Sequence, residues 1–167
     1  EESRDACRKL GLELPTEAQW EYAARGGKST PWWWGSDPAG AQGNLNVSDL
    51  TQHRRGSSSD PYEDQLDDGH VSHAPIGSFR ANPFGLHEIL GNVFEWCLDG
   101  YEEEFYGRSP RLDPRVEPEQ SSLRSGRGGG FMDALSKARC SQRVDGPPSR
   151  RFHFLGLRPA RALEAGD

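Results

Sequence analysis

The residues able to do chemistry are few, and their spacing excludes several reaction types. Cys7, Cys97 and Cys140 stand far apart in the chain. No CxxC is present, so neither a zinc ribbon nor a thioredoxin-like site is supported. An odd number of cysteines does not suggest a disulfide framework. The thiols read as reduced, which goes with a cytoplasmic protein. His53, His70, His73, His87 and His153 show no HxxxH-type spacing, so each reads as exposed or hydrogen-bonded rather than as a ligand. No G-x-S-x-G marks a hydrolase nucleophile. Gly126-Arg127-Gly128-Gly129-Gly130 is rich enough in glycine for a phosphate loop but lacks the Lys-Ser/Thr that follows in one. A binding surface is better supported. Gly128-Gly129-Gly130 and Gly156-Leu157-Arg158 read as two strand anchors, so the residues between them leave the sheet and return. That excursion holds Arg150, Arg151, Phe152 and Phe154, guanidinium groups beside aromatic area, which is the composition of interface anchors. Pro147-Pro148 stiffens it and lowers the entropy lost on binding. The competing reading is that Phe152 and Phe154 are core and the arginines solvated.

The elements that must position these residues follow from composition and punctuation. A length of 167 residues suits one domain. Only 33% of residues are hydrophobic while Gly (20) and Pro (12) are plentiful, which argues against a helical bundle. The core must then rest on large aromatics, and the chain has five Trp, four Tyr and seven Phe to build it. A net charge of -6 argues against a nucleic-acid partner. Charge is segregated, acidic from Asp60 to Asp68 and basic from Arg124 to Arg161, which leaves a local basic surface suited to an acidic protein or peptide ligand. No apolar run reaches membrane-spanning length and no signal-peptide pattern is visible; no membrane partner is expected.

Glu2 to Leu10 reads as a helix with Ala6, Cys7 and Leu10 on one face, ended by Gly11. Thr16 and Gln19 form a capping box for a second helix through Trp20, Ala23 and Ala24, stopped by Gly26-Gly27. Thr30 to Ser78 shows little regular structure. Within it Trp32-Trp33-Trp34 is too aromatic to be solvated and is expected to pack on the core. Gln52 to Asp68 reads as a long surface loop. Phe94, Trp96 and Leu98 alternate, as in a strand with one buried face. Glu102 to Ser122 is another loop. Gly128-Gly129-Gly130-Phe131 opens a strand-like segment, and Arg139 to Arg143 and Phe154 to Ala160 are further short strands.

Four blocks now stand in order: Leu14-Pro15-Thr16-Glu17-Ala18-Gln19-Trp20-Glu21-Tyr22-Ala23-Ala24-Arg25-Gly26-Gly27; Asn82-Pro83-Phe84-Gly85-Leu86; Gly91-Asn92-Val93-Phe94-Glu95-Trp96; and Arg127-Gly128-Gly129-Gly130-Phe131 followed by Leu155-Gly156-Leu157-Arg158-Pro159. Together they resemble the sulfatase-modifying-factor, or formylglycine-generating-enzyme-like, family over nearly the whole chain. The resemblance implies an α+β fold, a variant of the C-type lectin fold with little regular structure, two helices near the N-terminus and short antiparallel strands. Family domains start well before the position of Glu1, so residues 1–167 are expected to be a single domain lacking an N-terminal portion, a piece of a larger protein.

The resemblance also implies sites. Two calcium positions correspond to Asn44, Leu45, Asp68 and His70, and to Glu88, Gly91, Val93 and Glu95, each mixing side-chain and carbonyl oxygens as Ca²⁺ requires; the calcium is expected to be structural. The competing reading makes these acids ordinary surface or capping residues. Catalytic members resemble one another in a cysteine pair, five apart, that binds Cu(I). Those positions fall here on Asp133 and near Ala138, and neither is Cys. Cys140 matches a core position, a small hydrophobe. A carboxylate does not replace a thiolate at a Cu(I) site, so no copper or iron is expected, and catalysis is not expected. In lectin-type folds the segment before the final strand lies on one face; here it includes Met132, Asp133, Leu135, Lys137, Val144, Asp145, Arg150, Arg151, Phe152, His153 and Phe154. One branch, the retroelement-diversified variable proteins, varies this segment to bind new ligands. The expected function is a non-catalytic ligand- or protein-binding module, a recognition domain attached to an effector such as a kinase or protease. The alternative is a divergent metal-dependent oxygenase, formylglycine-generating or sulfoxide-synthase-like. The expected partners are a protein or peptide ligand and either the N-terminal remainder or another chain completing the fold.

Overall fold

The computed structural model describes residues 2–56 and 61–161. Helix α1 (Glu2–Lys9) buries only Cys7, against Leu14 and Leu98; Ala6 and Leu10 face solvent, Leu10 at 75% exposure. The expected three-residue face is corrected to one residue because α1 lies on a small satellite cluster rather than on the main core. Gly11, at φ +70, ends it. Helix α2 (Glu17–Arg25) begins in the expected capping box: Gln19 N–H donates to Thr16 Oγ1 at 3.2 Å and Thr16 N–H to Gln19 Oε1 at 3.0 Å. Gly26 closes it in the left-handed conformation. A Cβ there would meet Pro83 at 2.6 Å, so glycine serves both the cap and the close approach of the 82–86 turn.

A third helix, α3 (Leu50–Arg55), corrects the reading of 52–68 as a surface loop. Asp49 caps it, accepting from Gln52 N–H at 3.0 Å. The buried Gln52 side chain donates to Phe131 O at 3.0 Å. The polar composition misled because these polar groups bond one another inside the fold. Residues 57–60, including Asp60 of the acidic stretch, lie outside the described residues.

The sheet has the order β3-β2-β1-β4, with β1 Phe94–Gly100, β2 Arg124–Arg127, β3 Arg143–Gly146 and β4 Leu155–Leu157. The β1/β2 and β2/β3 pairs are antiparallel, but β4 runs parallel to β1, with Phe94 beside Leu155 and Trp96 beside Leu157. The expected short antiparallel strands are present in two of the three pairings, and β4 adds a parallel edge to them. Strands β3 and β4 share the direction of β1, so residues 147–154 carry the chain back to the end of the sheet where Phe94 begins. The triple glycine does not open a strand. Strand β2 ends at Arg127, and Gly128 and Gly129 turn the chain at φ +106 and +80. A Cβ on Gly129 would lie 2.9 Å from Ala138. Beyond β4, Ala160 bridges back to Glu13.

Strand β1 is buried on both faces, not one. Phe94 and Leu98 lie on one side, while Glu95, Cys97 and Asp99 are equally buried on the other. The main core lies on that second side and gathers Trp20, Ala24, Leu45, Ile89, Leu90, Leu135 and Cys140. Trp32 belongs to it and stacks on Trp34 at 5.7 Å, as its composition led one to expect. All three thiols are free and buried. Among the described residues no helix is long and apolar enough to cross a membrane.

Candidate functional site

Charge is buried where β1, β2 and α2 meet. Arg127, at 0% exposure, donates to Glu17 at 3.2 Å, to Glu21 and to Cys140 O at 2.8 Å. Arg143 grips Glu17 through two bonds of 2.7 and 2.8 Å and lies over the rings of Tyr101 and Tyr106. Burial opposes ionisation of Glu17, but Arg143, Ser125 and Arg127 outweigh it and hold its pKa below the ordinary value. Asp99 accepts from Glu17 N–H at 2.8 Å. Burial, with Glu17 nearby, raises its pKa to about 7. This network ties helix to sheet and is closed to ligands. Nothing in the spacing of Glu17, Arg127 and Arg143 announced it.

The first calcium set is only partly satisfied by protein. Asn44 Nδ2 donates to Gly40 O at 2.6 Å, but its Oδ1 is buried with no hydrogen-bond partner among the described residues. Asp68 accepts from His70 N–H at 2.7 Å and Val47 N–H at 3.2 Å. Burial, with Asp49 close by, raises its pKa to about 7. Asp68 N–H in turn donates to Asp49. Leu45 is core. Asn44 carries an orphaned oxygen and Asp68 a carboxylate that burial disfavours; these are oxygen donors of the type that a cation such as Ca²⁺ takes.

The second set does not fit on its side chains. Glu88 accepts from Gly77 N–H at 2.8 Å and Phe79 N–H at 2.9 Å. Glu95 accepts from Trp20 Nε1–H at 2.8 Å and pairs with Arg158 at 2.8 Å. Burial pushes the Glu95 pKa up, and Arg158 offsets part of that. The two carboxylates thus serve different partners, and Arg158 already supplies the charge that a cation would bring. Between them Gly91, at φ +74, lies so close to Asn46 that a Cβ would sit 2.3 Å from its carbonyl oxygen. Val93 is half-buried.

The residues of the 132–154 excursion separate into five places. Asp133 is half-buried and accepts from Gly130 N–H at 2.9 Å; burial raises its pKa. Leu135 is core, with Ala138 at 0% exposure. Lys137 is exposed on the short 3-10 turn Leu135–Lys137. Val144 and Asp145 lie on β3, at the far edge of the sheet from β4. The remaining residues converge. Met132 Sδ lies 3.3 Å from His153 Nε2, Phe152 stacks on Phe154 at 4.7 Å, and Arg150 covers Phe152 at 5.1 Å. Arg151, mostly exposed, pairs with Glu2. Phe152 and Phe154 are half-buried, between the two readings weighed for them. Arg150, Arg151 and Phe152 form one wall of a groove of about 650 Å³. Its other lining residues include Arg4, Trp96, Arg124, Leu155 and Leu157. Sequence reasoning missed Trp96, Arg4 and Arg124 here. The half-buried Trp in the alternating β1 pattern was the signal available.

Among the described residues no three His, Cys, Asp or Glu side chains converge as a metal centre. Burial pushes the Cys140 thiol up to about 11 and raises the Cys97 thiol well above its ordinary value, so neither is poised as a thiolate.

These features define an α+β domain of the C-type-lectin-like kind: a small mixed sheet, two N-terminal helices and long loops held by buried polar bonds. The Sulfatase-modifying factor enzyme 1-like domain matches residues 2–163, and the chain belongs to that family. The formylglycine-generating enzyme of Streptomyces coelicolor is 36% identical over 92% of this chain and 48% of its own length. The serine/threonine-protein kinase pkn1 of Chlamydia caviae is 31% identical over 93% of this chain but 22% of its own. Among solved structures, PvdO from Pseudomonas aeruginosa superposes with a TM-score of 0.77 at 26% identity, covering 96% of this chain and 59% of that one. Treponema denticola variable protein 1 gives 0.69 at 28%, covering 89% and 46%. The chain thus spans about half the length of the first formylglycine-generating enzyme it matches.

Proposed function

We propose that this chain is a non-catalytic binding module, a recognition domain that works beside an effector such as a kinase or protease. The observation that carries the reading is what stands at the positions implied for the thiolate pair. Asp133 has its carboxylate turned onto Gly130 N–H, and Ala138 is a methyl sealed under Gly129. Neither offers the soft donor that a Cu(I) thiolate centre needs. A kinase relative that devotes 22% of its length to the matching region supports the effector half of the reading.

The ligand seat in this reading is the groove wall of Arg150, Arg151 and Phe152. Four arginines, Arg4, Arg124, Arg150 and Arg151, line the groove against two glutamates, Glu2 and Glu119. A protein or peptide ligand of acidic character suits that balance, in the cytoplasm where buried free thiols stay reduced. The outer edge of β4, which has no strand beside it among the described residues, suits a further segment that completes the fold, from the same protein or another chain. Calcium at Asn44, Leu45, Asp68 and His70 acts in this reading as a staple: Asn44 Oδ1 and Asp68 hold it with the two carbonyls.

Two measurements test the reading. Full-length protein is incubated with Cu(I), a reductant and a Cys-containing sulfatase-type peptide. The peptide mass is expected to stay unchanged, and a mass matching the aldehyde establishes the divergent-oxygenase alternative instead. Pull-downs from the native host then compare Arg151→Ala and Phe152→Ala with the remote control Arg54→Ala. The two groove variants are expected to lose a partner that the control keeps; truncating anchors of this kind costs about 2 kcal/mol or more. Full retention by both folded variants removes the groove from the proposal.

A further inference from the structure

We infer that His73, Met132 and His153 form a surface site for copper(I). His153 Nε2 and Met132 Sδ are 3.3 Å apart. The His73 ring stands at 82° to the His153 ring with centroids 6.5 Å apart, and its Nε2 contacts the His153 carbonyl oxygen. Aromatic walls hold both imidazoles. His73 packs against Phe131 at 4.8 Å, and His153 packs between Phe131 at 5.9 Å and Phe154 at 5.3 Å. All three donors are exposed, with Met132 at 41%, so an ion has a path in.

As an ordinary hydrogen bond the His153–Met132 contact is poorly explained. A thioether is a weak acceptor, and at an exposed position water is a better partner for the imidazole. As two ligands of one ion the distance is natural. With metal–nitrogen and metal–sulfur bonds of about 2.0 and 2.3 Å, a tetrahedral angle separates the donors by roughly 3.5 Å. Two imidazoles bound through Nε2 at the same tetrahedral centre have centroids roughly 5.1 Å apart by the same bond length. His73 must therefore come in by roughly 1.4 Å from the observed 6.5 Å, by a turn of its exposed ring off the His153 carbonyl.

The donor types select the ion. A thioether with two imidazoles is a soft set that suits Cu(I), whereas hard ions need oxygen. The carboxylate that follows Met132 in sequence, Asp133, accepts from Gly130 N–H. The sequence expectation of no copper rests on the thiolate-pair positions alone; this site is built from other residues, brought together across as many as 80 positions of chain. It is a binding site, independent of the partner surface at Arg150–Phe152 and of any turnover.

The test is an anaerobic titration of full-length protein with Cu(I) against a chromogenic chelator, with thiol accessibility followed in parallel. One equivalent is expected to bind while the three buried thiols stay unreactive. Met132→Leu, His153→Ala and His73→Ala are each expected to weaken binding at least about tenfold with near-UV circular dichroism unchanged. X-ray absorption is expected to show nitrogen neighbours and one thioether sulfur. Should His153→Ala lose the fold, His153→Gln takes its place. Failure to bind overturns the proposal. So does binding that survives all three substitutions, or that vanishes only when Cys7, Cys97 and Cys140 are replaced by Ser, which assigns the copper to the thiols.

Discussion

If the proposed calcium staple is bound, chelation is the perturbation that bears most directly on how these loops hold their shape. The first set leaves Asn44 Oδ1 buried without a partner and Asp68 burdened by burial and by Asp49. An unmet buried acceptor costs about 1–3 kcal/mol, and a bound cation removes that penalty in the folded state only. At a hundredfold excess over its dissociation constant, a ligand of the folded state alone stabilises by about 2.7 kcal/mol. In a domain of this size each kcal/mol moves the midpoint by about 2–4 °C, so excess EDTA is expected to lower the melting temperature by roughly 5–10 °C. Scanning calorimetry with EDTA, then with calcium restored and with magnesium as control, reads the shift. Elemental analysis counts the ion. Asn44→Ala is expected to melt at one temperature with or without EDTA, because the orphaned oxygen is gone. An unchanged wild-type melt in EDTA with no calcium found refutes the reasoning, and so does a calcium response that persists in Asn44→Ala.

Three further outcomes follow from the buried polar network and the close backbone contacts. Arg127→Met, measured by urea unfolding, is expected to cost about 3 kcal/mol, the low end for breaking a buried ion pair, because Glu17 keeps Arg143 and Glu21 keeps Arg25; wild-type stability would show the pair to be dispensable. Gly91→Ala is expected to cost more than about 4 kcal/mol or to abolish folding, since its methyl would sit 2.3 Å from Asn46 O at φ +74. The pKa of Asp99 is raised from 3.8 to about 7 in the folded protein, so folded Asp99 keeps a proton that the unfolded chain has lost, and stability is expected to fall as pH rises between those values. Asp99→Asn is expected to flatten that part of the curve, and an unaltered slope in a pH series of unfolding midpoints assigns the titration elsewhere.

What the sequence made legible was local. Thr16 and Gln19 predict the start of α2 because both capping bonds span three residues, and Gly26 predicts its end for the same reason. Trp32 was readable as core from its chemistry alone, and Cys140 from the family resemblance. Errors arose where a distant partner decides the outcome. Gln52 looked like a loop residue because its partner, Phe131 O, is 79 positions away. Glu95 and Asp99 made β1 look half-exposed, since alternation cannot reveal that Arg158 and the start of α2 wait on the other side. Parallel pairing of β4 depends on which way residues 147–154 return, and no residue type encodes that direction. At the candidate sites, Arg150 and Phe152 were readable as a pair through their proximity. His153 was readable on the ligand face but not as a partner of His73, because spacing rules see neighbours in sequence and these two are neighbours only in space.

The bridge between Glu13 and Ala160 has a consequence for how the chain is made. Glu13 N–H donates to Ala160 O at 2.9 Å and Ala160 N–H returns the bond at 2.7 Å. Strand β1 likewise gains its parallel neighbour only from Leu155–Leu157. At about 5–20 residues per second, a ribosome needs on the order of ten seconds after making Glu13 to deliver its partner. During that interval one edge of β1 has no mate and Leu14 has a half-built bed, the kind of surface on which nascent chains stick to one another. Closure across so long a stretch of chain favours slow folding. Expression in a heterologous host should therefore respond to chaperone supply and to lowered temperature more than to surface substitutions.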